Sequence, residues 1–372
     1  MAVSNDKMPP SQDDEYVLTG PRCKRRRTSD SECFSWEILP VLSEEECQGV
    51  ELLPAYAAPI LCKKETSRLV KEVSAIYPLP GLQHLKRVRA CKEEPRQHDV
   101  EILICLASPL QKEESALSLR ELLPTVKAEC SSLGEPFVVQ VPARPPLTRP
   151  QFRESSAHWP TSFHENKLVT KALDGQLFSW EEKNRMQKYM DQAIQAAKCG
   201  AAIGMEAVGA VVVNSSTGAV IAVGHDCRQG CNPLLHASIV GIDLVSHAQG
   251  GGVYNYDIYP DCKFFLSPNN NECAEIDAVD SPAGTHPTAV GLPYICTGFD
   301  LYVTREPCTM CAMALLHSRI QRVFYGTPSP DGALGSKYRI HSRRDLNHHF
   351  DVFRGILEDQ CQELGNECHQ VS

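Results

Sequence analysis

The sequence has no apolar run near the roughly 18 residues that a membrane span requires. Its first twenty residues are polar and acidic and contain no apolar core of a secretory signal. Positive charge is also in deficit, because 37 Lys and Arg face 46 Asp and Glu, a formal net charge of −9. We therefore expect a soluble intracellular protein in which any nucleic-acid binding depends on local basic patches.

The 17 cysteines do not form a disulfide framework, because they are scattered and odd in number. This favours reduced thiols in cytosol or nucleus, where Cys-x-x-Cys more often binds metal or does redox chemistry. A basic cluster at 22–27 could be a nuclear import signal, a nucleic-acid arm or part of a solvated disordered tail. We expect the protein in nucleus and cytoplasm.

Length and composition predict two domains, each large enough for a hydrophobic core. A disordered tail is expected over 1–34, a small α+β domain over 35–143 and a proline-rich linker over 144–178. The second domain is expected over 179–372. Within it, 248–297 is rich in Gly, Asn, Asp and Pro and is predicted to be an insertion without regular structure.

The first domain is predicted to have the order β-α-β-β-α-β of a ferredoxin-like α+β fold. Its first strands are expected at 36–41 and 50–53, its helices at 63–76 and 117–126, and its later strands at 85–90, 100–106 and 137–141. One strand and its flank are basic and form the candidate RNA-binding set, although a solvated strand edge is an equal alternative. The set is Lys86, Arg87, Arg89, Lys92 and Arg96.

The second domain is predicted to be a three-layer α/β/α sandwich. A capping box at Ser179 opens a long amphipathic helix, and a β-hairpin follows over 207–223. Further helices are expected to begin at His236 and beside Cys308, with strands at 300–304 and 322–326. The resulting order is α-β-β-α-β-α-β.

Two of these predicted helix starts carry metal-ligand residues. Cys308 and Cys311 form a Pro-Cys-x-x-Cys run, and His236 begins another helix. A helix N-terminus supports thiolate charge, and three protein ligands are typical of a catalytic-type zinc site. The sequence therefore predicts Zn²⁺ bound by His236, Cys308 and Cys311.

The residue that would do the chemistry is missing. Nucleobase deaminases read His-x-Glu…Pro-Cys-x-x-Cys, and their Glu moves protons between water and the base. Here Ser238 occupies the Glu position. A serine hydroxyl is too short and too weakly acidic for this role near neutral pH, so we predict no catalytic residue in this chain.

A second cysteine pair, Cys227 and Cys231, lies just before His236. It is a weaker candidate for a metal site, and loop thiols are the favoured interpretation. Several other histidines are expected to be surface or hydrogen-bonding residues, namely His225, His247, His317, His341, His348 and His369.

The zinc-ligand run and three C-terminal blocks resemble the tRNA adenosine deaminase branch of the cytidine-deaminase-like superfamily, over roughly 179–361. The matching segments are Thr304–Leu315, Gly332–Ser336, Leu346–His348 and Gly355–Leu357. The missing Glu and the additional domain resemble the non-catalytic subunits of the eukaryotic heterodimers that convert adenosine to inosine at the first anticodon position. The resemblance implies a partner subunit that carries His-Ala-Glu, and tRNA binding and stabilisation of that partner by this chain.

Two alternatives remain open. The chain could be an active deaminase that uses another carboxylate, such as Asp351, although loss of a general acid/base costs about 10²- to 10⁴-fold in rate. It could also be a zinc-stabilised binding module without any link to deamination.

Overall fold

The computed structural model describes residues 34–91, 98–107, 118–123, 132–266 and 294–367. Nearly all of the predicted tail, together with Lys92 and Arg96 of the basic set, therefore lies outside the described residues. Residues 36–372 group into one unit, which contains two β-sheets. Among the described helices, none combines the length and apolarity that crossing a membrane would take.

The N-terminal sheet has four antiparallel strands in the order β3-β4-β2-β5. The strands are β2 (Leu52–Ile60), β3 (Val88–Ala90), β4 (Val100–Leu106) and β5 (Phe137–Pro142). Helix α2 (Thr66–Ile76) lies between β2 and β3, and the short α3 (Leu119–Leu122) lies between β4 and β5. The predicted order β-α-β-β-α-β is therefore present, with helices that pack Leu69, Val73 and Leu122 on one face of the sheet.

The other face of this sheet is covered by the first part of the segment that was predicted to be a linker, whereas its later part packs against the core of the C-terminal sheet. Helix α4 (Arg149–His158) begins with a capping box at Thr148, and α5 (Lys167–Leu173) follows it. Trp159 at the end of α4 is fully buried against Ala55, Leu103 and Val141. The lack of periodicity in 144–160 was misleading, because one large aromatic side chain supplies most of the apolar contact of this segment.

The C-terminal sheet has seven strands in the order β1-β11-β10-β9-β6-β7-β8. Strands β9, β10 and β11 are parallel, and the other pairings are antiparallel. The strands are β1 (Leu39–Pro40), β6 (Gly209–Asn214), β7 (Val220–His225), β8 (Lys263–Phe264), β9 (Phe299–Arg305), β10 (Arg322–Thr327) and β11 (Asp351–Arg354).

Helices cover both faces of this sheet, as predicted. Helices α6 (Trp180–Ala202) and α9 (Glu358–Glu367) pack on one face, and α7 (Ala237–Ala248) and α8 (Thr309–His317) pack on the other. The predicted capping box at Ser179 is present, since its Oγ accepts from the Glu182 backbone N–H. The result is the α/β/α sandwich.

The first predicted strand does not belong to the N-terminal sheet. Residues 39–40 form β1, which pairs with β11 at the edge of the C-terminal sheet, and Ile38 is buried in the core beneath α6. Helix α1 (Glu44–Cys47) then leads to the N-terminal sheet. The N-terminal domain therefore begins after β1 and not at residue 35. The sequence around β1 gave no indication of this, because its partner strand β11 lies more than 300 residues away.

The predicted insertion at 248–297 is described over 248–266 and 294–297. Its first part is ordered against the core, because β8 pairs with β7 and Tyr256, Tyr259 and Cys262 are buried. The expectation of no regular structure is thus wrong for β8. The composition, which is rich in turn residues, gave no indication that Tyr256, Tyr259 and Cys262 are buried.

Candidate metal centre

The three predicted ligands lie at the starts of two helices on the same face of the C-terminal sheet. His236 is the N-cap of α7 and Cys308 is the N-cap of α8, with Cys311 in the first turn of α8. The parallel strand β9 ends at Arg305 and delivers Pro307 and Cys308 to this position. The fold therefore brings together all three residues.

The donor set fits zinc. The three ligand atoms lie within 4.8 Å of one another, and Cys308 Sγ is 3.6 Å from His236 Nδ1. With Zn–S of about 2.3 Å and Zn–N of about 2.0–2.1 Å, sulfur and nitrogen ligands of a tetrahedral site lie about 3.6 Å apart. One imidazole and two thiols also match the ligand types that zinc prefers.

Cys308 is held in the thiolate form that metal binding needs. The Cys311 thiol and the backbone N–H groups of Cys311 and Met310 donate to its sulfur, which lowers the pKa of Cys308 to about 5. The same contact raises the pKa of the buried Cys311 thiol above its ordinary value. Two cysteines at one helix start thus share a single negative charge when they hold no metal.

Ser238 lies in the first turn of α7, two positions after His236, and is buried at 3 % exposure. This is the position at which a deaminase glutamate would face the metal. The serine side chain stops two carbon atoms short of a glutamate carboxyl and has no acid/base group that titrates near neutral pH. The structure thus combines a complete donor set with no proton shuttle at this position.

The glutamate of the Glu-Pro-Cys run has a structural role. The Glu306 carboxylate accepts from the backbone N–H groups of Ser329, Leu334 and Ser336 at 2.9–3.0 Å and from the Ser336 hydroxyl. A Cβ added to Gly332 would lie 2.1 Å from this carboxylate, so the position requires glycine. Glu306 therefore fixes the following loop against Pro307 and Cys308 and is not free to act as a base.

An ion pair that sequence reasoning missed lies beside Cys311. The fully buried Asp226 accepts from the Arg228 guanidinium in a bidentate pair at 2.7–2.9 Å. Both charges act on Cys311, and Arg228 lowers the pKa of this thiol while Asp226 raises it. Only the unusual Asp-x-Arg spacing after a buried strand could have indicated this pair.

The basic set of the N-terminal sheet is largely engaged inside the protein. The Arg87 guanidinium donates to the backbone oxygens of Tyr77, Leu103 and Ile104, and burial lowers its pKa. Arg89 pairs with Glu101 at 2.5 Å and lies over the ring of Trp159 at 4.4 Å. Of the three described members, only Lys86 is exposed.

The two cysteines of the rival pair differ in their surroundings. Cys231 is exposed, whereas Cys227 is fully buried and lies beside His225 and Cys262. The sequence did not indicate Cys262 as the neighbour of Cys227, because Cys262 reaches it through the pairing of β7 with β8.

Comparison with known proteins agrees with this architecture. Residues 183–327 match the family described as cytidine and deoxycytidylate deaminase zinc-binding region, and residues 53–159 match the tRNA-specific adenosine deaminase TAD3 N-terminal domain. The chain is 55% identical over 348 residues to a zebrafish (Danio rerio) protein, covering 93% of this chain and 99% of the relative. The chain belongs to the TAD3 family.

Other relatives show the range of the family. A human protein is 53% identical over 350 residues, covering 94% of this chain and 97% of its own length. Both vertebrate relatives are named "probable inactive tRNA-specific adenosine deaminase-like protein 3". An Arabidopsis thaliana protein named tRNA-specific adenosine deaminase TAD3 is 26% identical, covering 87% of this chain and 97% of the relative.

The match to the TAD3 N-terminal domain also bears on the segment that was predicted to be a linker. It extends to residue 159, and Trp159 is the buried residue that closes the second face of the N-terminal sheet. Helix α4 thus forms part of the region that distinguishes this family.

Proposed function

We propose that this chain is the non-catalytic subunit of a heterodimeric tRNA adenosine deaminase. It supports conversion of adenosine to inosine at the wobble position by binding tRNA and stabilising a catalytic partner. That partner carries the His-Ala-Glu that this chain lacks. The vertebrate relatives of this chain are named inactive, and a relative from fission yeast is named a tRNA-specific adenosine deaminase subunit.

One observation carries this proposal: a complete His-Cys-Cys donor set beside a serine at the glutamate position. His236, Cys308 and Cys311 would hold Zn²⁺, which in a deaminase supplies the electrophilic centre that activates water. Because Ser238 supplies no group to move protons, a zinc ion held by these three residues would have a structural role, since it would join the starts of α7 and α8.

The alternative, an active enzyme that uses another carboxylate such as Asp351, does not agree with the position of Asp351 in the sheet. Asp351 is in register with Arg322, which is in register with Asp300 near the start of β9. Cys308 follows the opposite end of β9, and the five residue-to-residue steps from Asp300 to Arg305 span about 17 Å. Asp351 therefore lies at the wrong end of the sheet for proton transfer at the metal centre.

Carboxylates closer to the centre are already engaged. Glu306 accepts four hydrogen bonds from its own loop, and Asp226 is paired with Arg228. Using either one as a base would leave several buried donors without a partner, which costs about 1–3 kcal/mol for each group. The proposal without catalysis in this chain requires no such rearrangement.

We further propose that the N-terminal domain contacts tRNA mainly through Lys86, which is exposed. Lys92 and Arg96 remain predicted contacts. Arg87 and Arg89 hold the sheet together and present the strand. The basic run at 22–27 supports a distribution between nucleus and cytoplasm.

The test is inosine formation on an anticodon-containing tRNA by this chain alone, by its partner alone and by both together. We expect product only with both. The matched variants are Ser238→Ala in this chain and Glu→Gln at the His-Ala-Glu of the partner. The first should leave the rate unchanged and the second should abolish it. Zinc-dependent inosine formation by the isolated chain would refute the proposal.

A further inference from the structure

A second group of metal-ligating side chains lies away from the centre of His236, Cys308 and Cys311. It consists of His225, Cys227 and Cys262, and one ligand atom from each lies within 4.8 Å of the others. His225 and Cys227 are fully buried and Cys262 is 7 % exposed. The proposed function makes no use of these three residues.

The sheet explains why they meet. His225 is the last residue of β7, and Cys262 immediately precedes β8, whose Lys263 pairs with Val223. Continuing this register by one step places Cys262 opposite Gly224. A Cβ on Gly224 would lie 3.5 Å from the Cys262 sulfur and closer still to Val240 and Leu244. Glycine at this position leaves space for Val240 and Leu244 of α7, whereas a Cβ would make only an ordinary contact with the sulfur.

The sulfur separation fits a shared metal ion. Cys227 Sγ and Cys262 Sγ are 3.9 Å apart. Two thiolates on a tetrahedral zinc ion, each at about 2.3 Å, lie about 3.8 Å apart. A disulfide would require about 2.05 Å, so the two sulfurs are not bonded to each other.

The imidazole is oriented as metal-binding histidines are. His225 Nδ1 lies 2.8 Å from the Asp226 backbone oxygen, which fixes the proton on Nδ1 and leaves the lone pair on Nε2. Nε2 is buried and has no hydrogen-bond partner among the described residues. Buried polar atoms are nearly always partnered, and coordination of a metal ion is one way to satisfy a lone pair of this kind.

Charge points the same way. Both sulfurs and the imidazole are buried together, and the two cysteines belong to the apolar core. A buried charge is costly unless it is paired or coordinated. Two thiolates, one neutral imidazole and a divalent cation would have no net charge, which suits a site within the apolar core of α7 and β7.

We propose that His225, Cys227 and Cys262 bind a second zinc ion, which has a structural role. The ion would fasten the start of β8 to the loop between β7 and α7. In that loop the Cys227 backbone N–H donates to the Leu235 oxygen at 2.8 Å, and Leu235 precedes His236. The second zinc therefore holds in place the segment that positions a ligand of the first.

A third cluster of possible metal ligands, in the N-terminal sheet, differs from the proposed second zinc site because its groups are already paired. Cys91, His98 and Glu101 also lie within 4.8 Å of one another. The Glu101 carboxylate is already occupied by Arg89 at 2.5 Å and His98 at 2.9 Å. The imidazole there is engaged with a carboxylate, unlike the unpartnered Nε2 of His225, so that cluster is an ion-pair network of the N-terminal sheet.

The experiment counts zinc in the purified complex of this chain with its catalytic partner, by elemental mass spectrometry. The partner's own zinc is constant, so differences between variants report on this chain. Cys262→Ser and Cys308→Ser should each lose about one equivalent of zinc, and the double variant about two. Cys231→Ser, which changes an exposed thiol of the same loop, should lose none.

Cobalt gives a readout that does not depend on the Cys262 variant folding. In chain carrying Cys308→Ser and Cys311→Ser, reconstituted with Co²⁺ alone, we expect thiolate-to-cobalt charge-transfer absorption from the second site. No such absorption in folded protein would overturn the proposal. So would zinc content unchanged by Cys262→Ser, or a Cys227–Cys262 disulfide found after thiols are blocked before lysis.

Discussion

The Cys308 sulfur lies 3.6 Å from Nδ1 of His236, although 72 positions separate the two residues in sequence. Both are helix N-caps, and the strands before them, β7 and β9, flank β6 in the sheet. This short separation links the starts of α7 and α8 directly through the side chains of two ligands. The stability of the metal centre therefore depends on the order of three central strands.

Cys308→Ser should lower stability more than its own burial explains. Loss of one thiolate leaves a three-ligand donor set with two members, so metal binding that is coupled to folding is weakened. We expect a lower unfolding temperature and a smaller further fall on addition of a chelator than in the wild type, because the zinc of this centre is already lost. Thermal unfolding of the complex with and without chelator measures both effects.

The control is Cys199→Ser, at a half-buried thiol of α6 that is not a member of either metal-ligand cluster. This variant should retain the chelator-sensitive part of the unfolding temperature. Equal chelator sensitivity in Cys308→Ser and the wild type would mean that His236, Cys308 and Cys311 do not hold the metal.

The basic strand separates into a structural residue and a binding residue. Lys86→Gln should weaken tRNA binding and reduce its salt slope by about one unit for each phosphate that is no longer neutralised, without change in stability. Arg87→Gln should instead cost about 1–3 kcal/mol of stability, because the carbonyls of Tyr77, Leu103 and Ile104 lose their donor. Titrations with tRNA at several salt concentrations, together with denaturant unfolding, distinguish the two.

Lys198→Gln, at an exposed position of α6, is the matched control for charge. It should alter neither affinity nor salt slope. If Lys86→Gln behaves like Lys198→Gln, the strand is a solvated edge and the tRNA binds elsewhere on the protein.

Local patterns were enough to predict which side chains meet at the starts of α7 and α8, the capping box at Ser179 and the element order of the N-terminal domain. These features depend on residues close in sequence, such as Pro307, Cys308 and Cys311, or on periodicity within one helix. The order predicted for the second domain lacked β8, β11 and α9. Pairings between distant segments left no such trace. The approach of Cys262 to Cys227 and the burial of Trp159 both follow from sheet register, which sequence alone does not specify.

The edge strand β1 provides a direct test of such a distant pairing. Ile38→Ala should cost about 2–5 kcal/mol of stability, because Ile38 is 4 % exposed in the core between the C-terminal sheet and α6. Leu39→Ala, at a neighbour that is 38 % exposed, should cost roughly 0.5 kcal/mol or less. Denaturant unfolding monitored at the C-terminal sheet gives both values, and equal costs would contradict the pairing of β1 with β11.

His341 should make the protein less stable in mild acid. It is 4 % exposed, and burial lowers its pKa to about 4 despite its hydrogen bond to the Val41 oxygen. An unfolded histidine titrates near about 6.5, so on acidification the unfolded state binds a proton first. Stability from this residue is therefore complete above about pH 6.5 and is lost progressively as the pH falls towards 4.

The full loss from His341 amounts to roughly 3 kcal/mol, since each unit of pKa shift corresponds to about 1.4 kcal/mol. His341→Gln retains a donor for Val41 but does not titrate, so its stability should fall less steeply between about pH 6.5 and 4. Urea unfolding across this range measures the difference between the two slopes. His349→Gln, at an exposed histidine, should follow the wild type. Parallel profiles for the wild type and His341→Gln would show that the imidazole is charged in the folded protein, and would place the acid sensitivity in other groups.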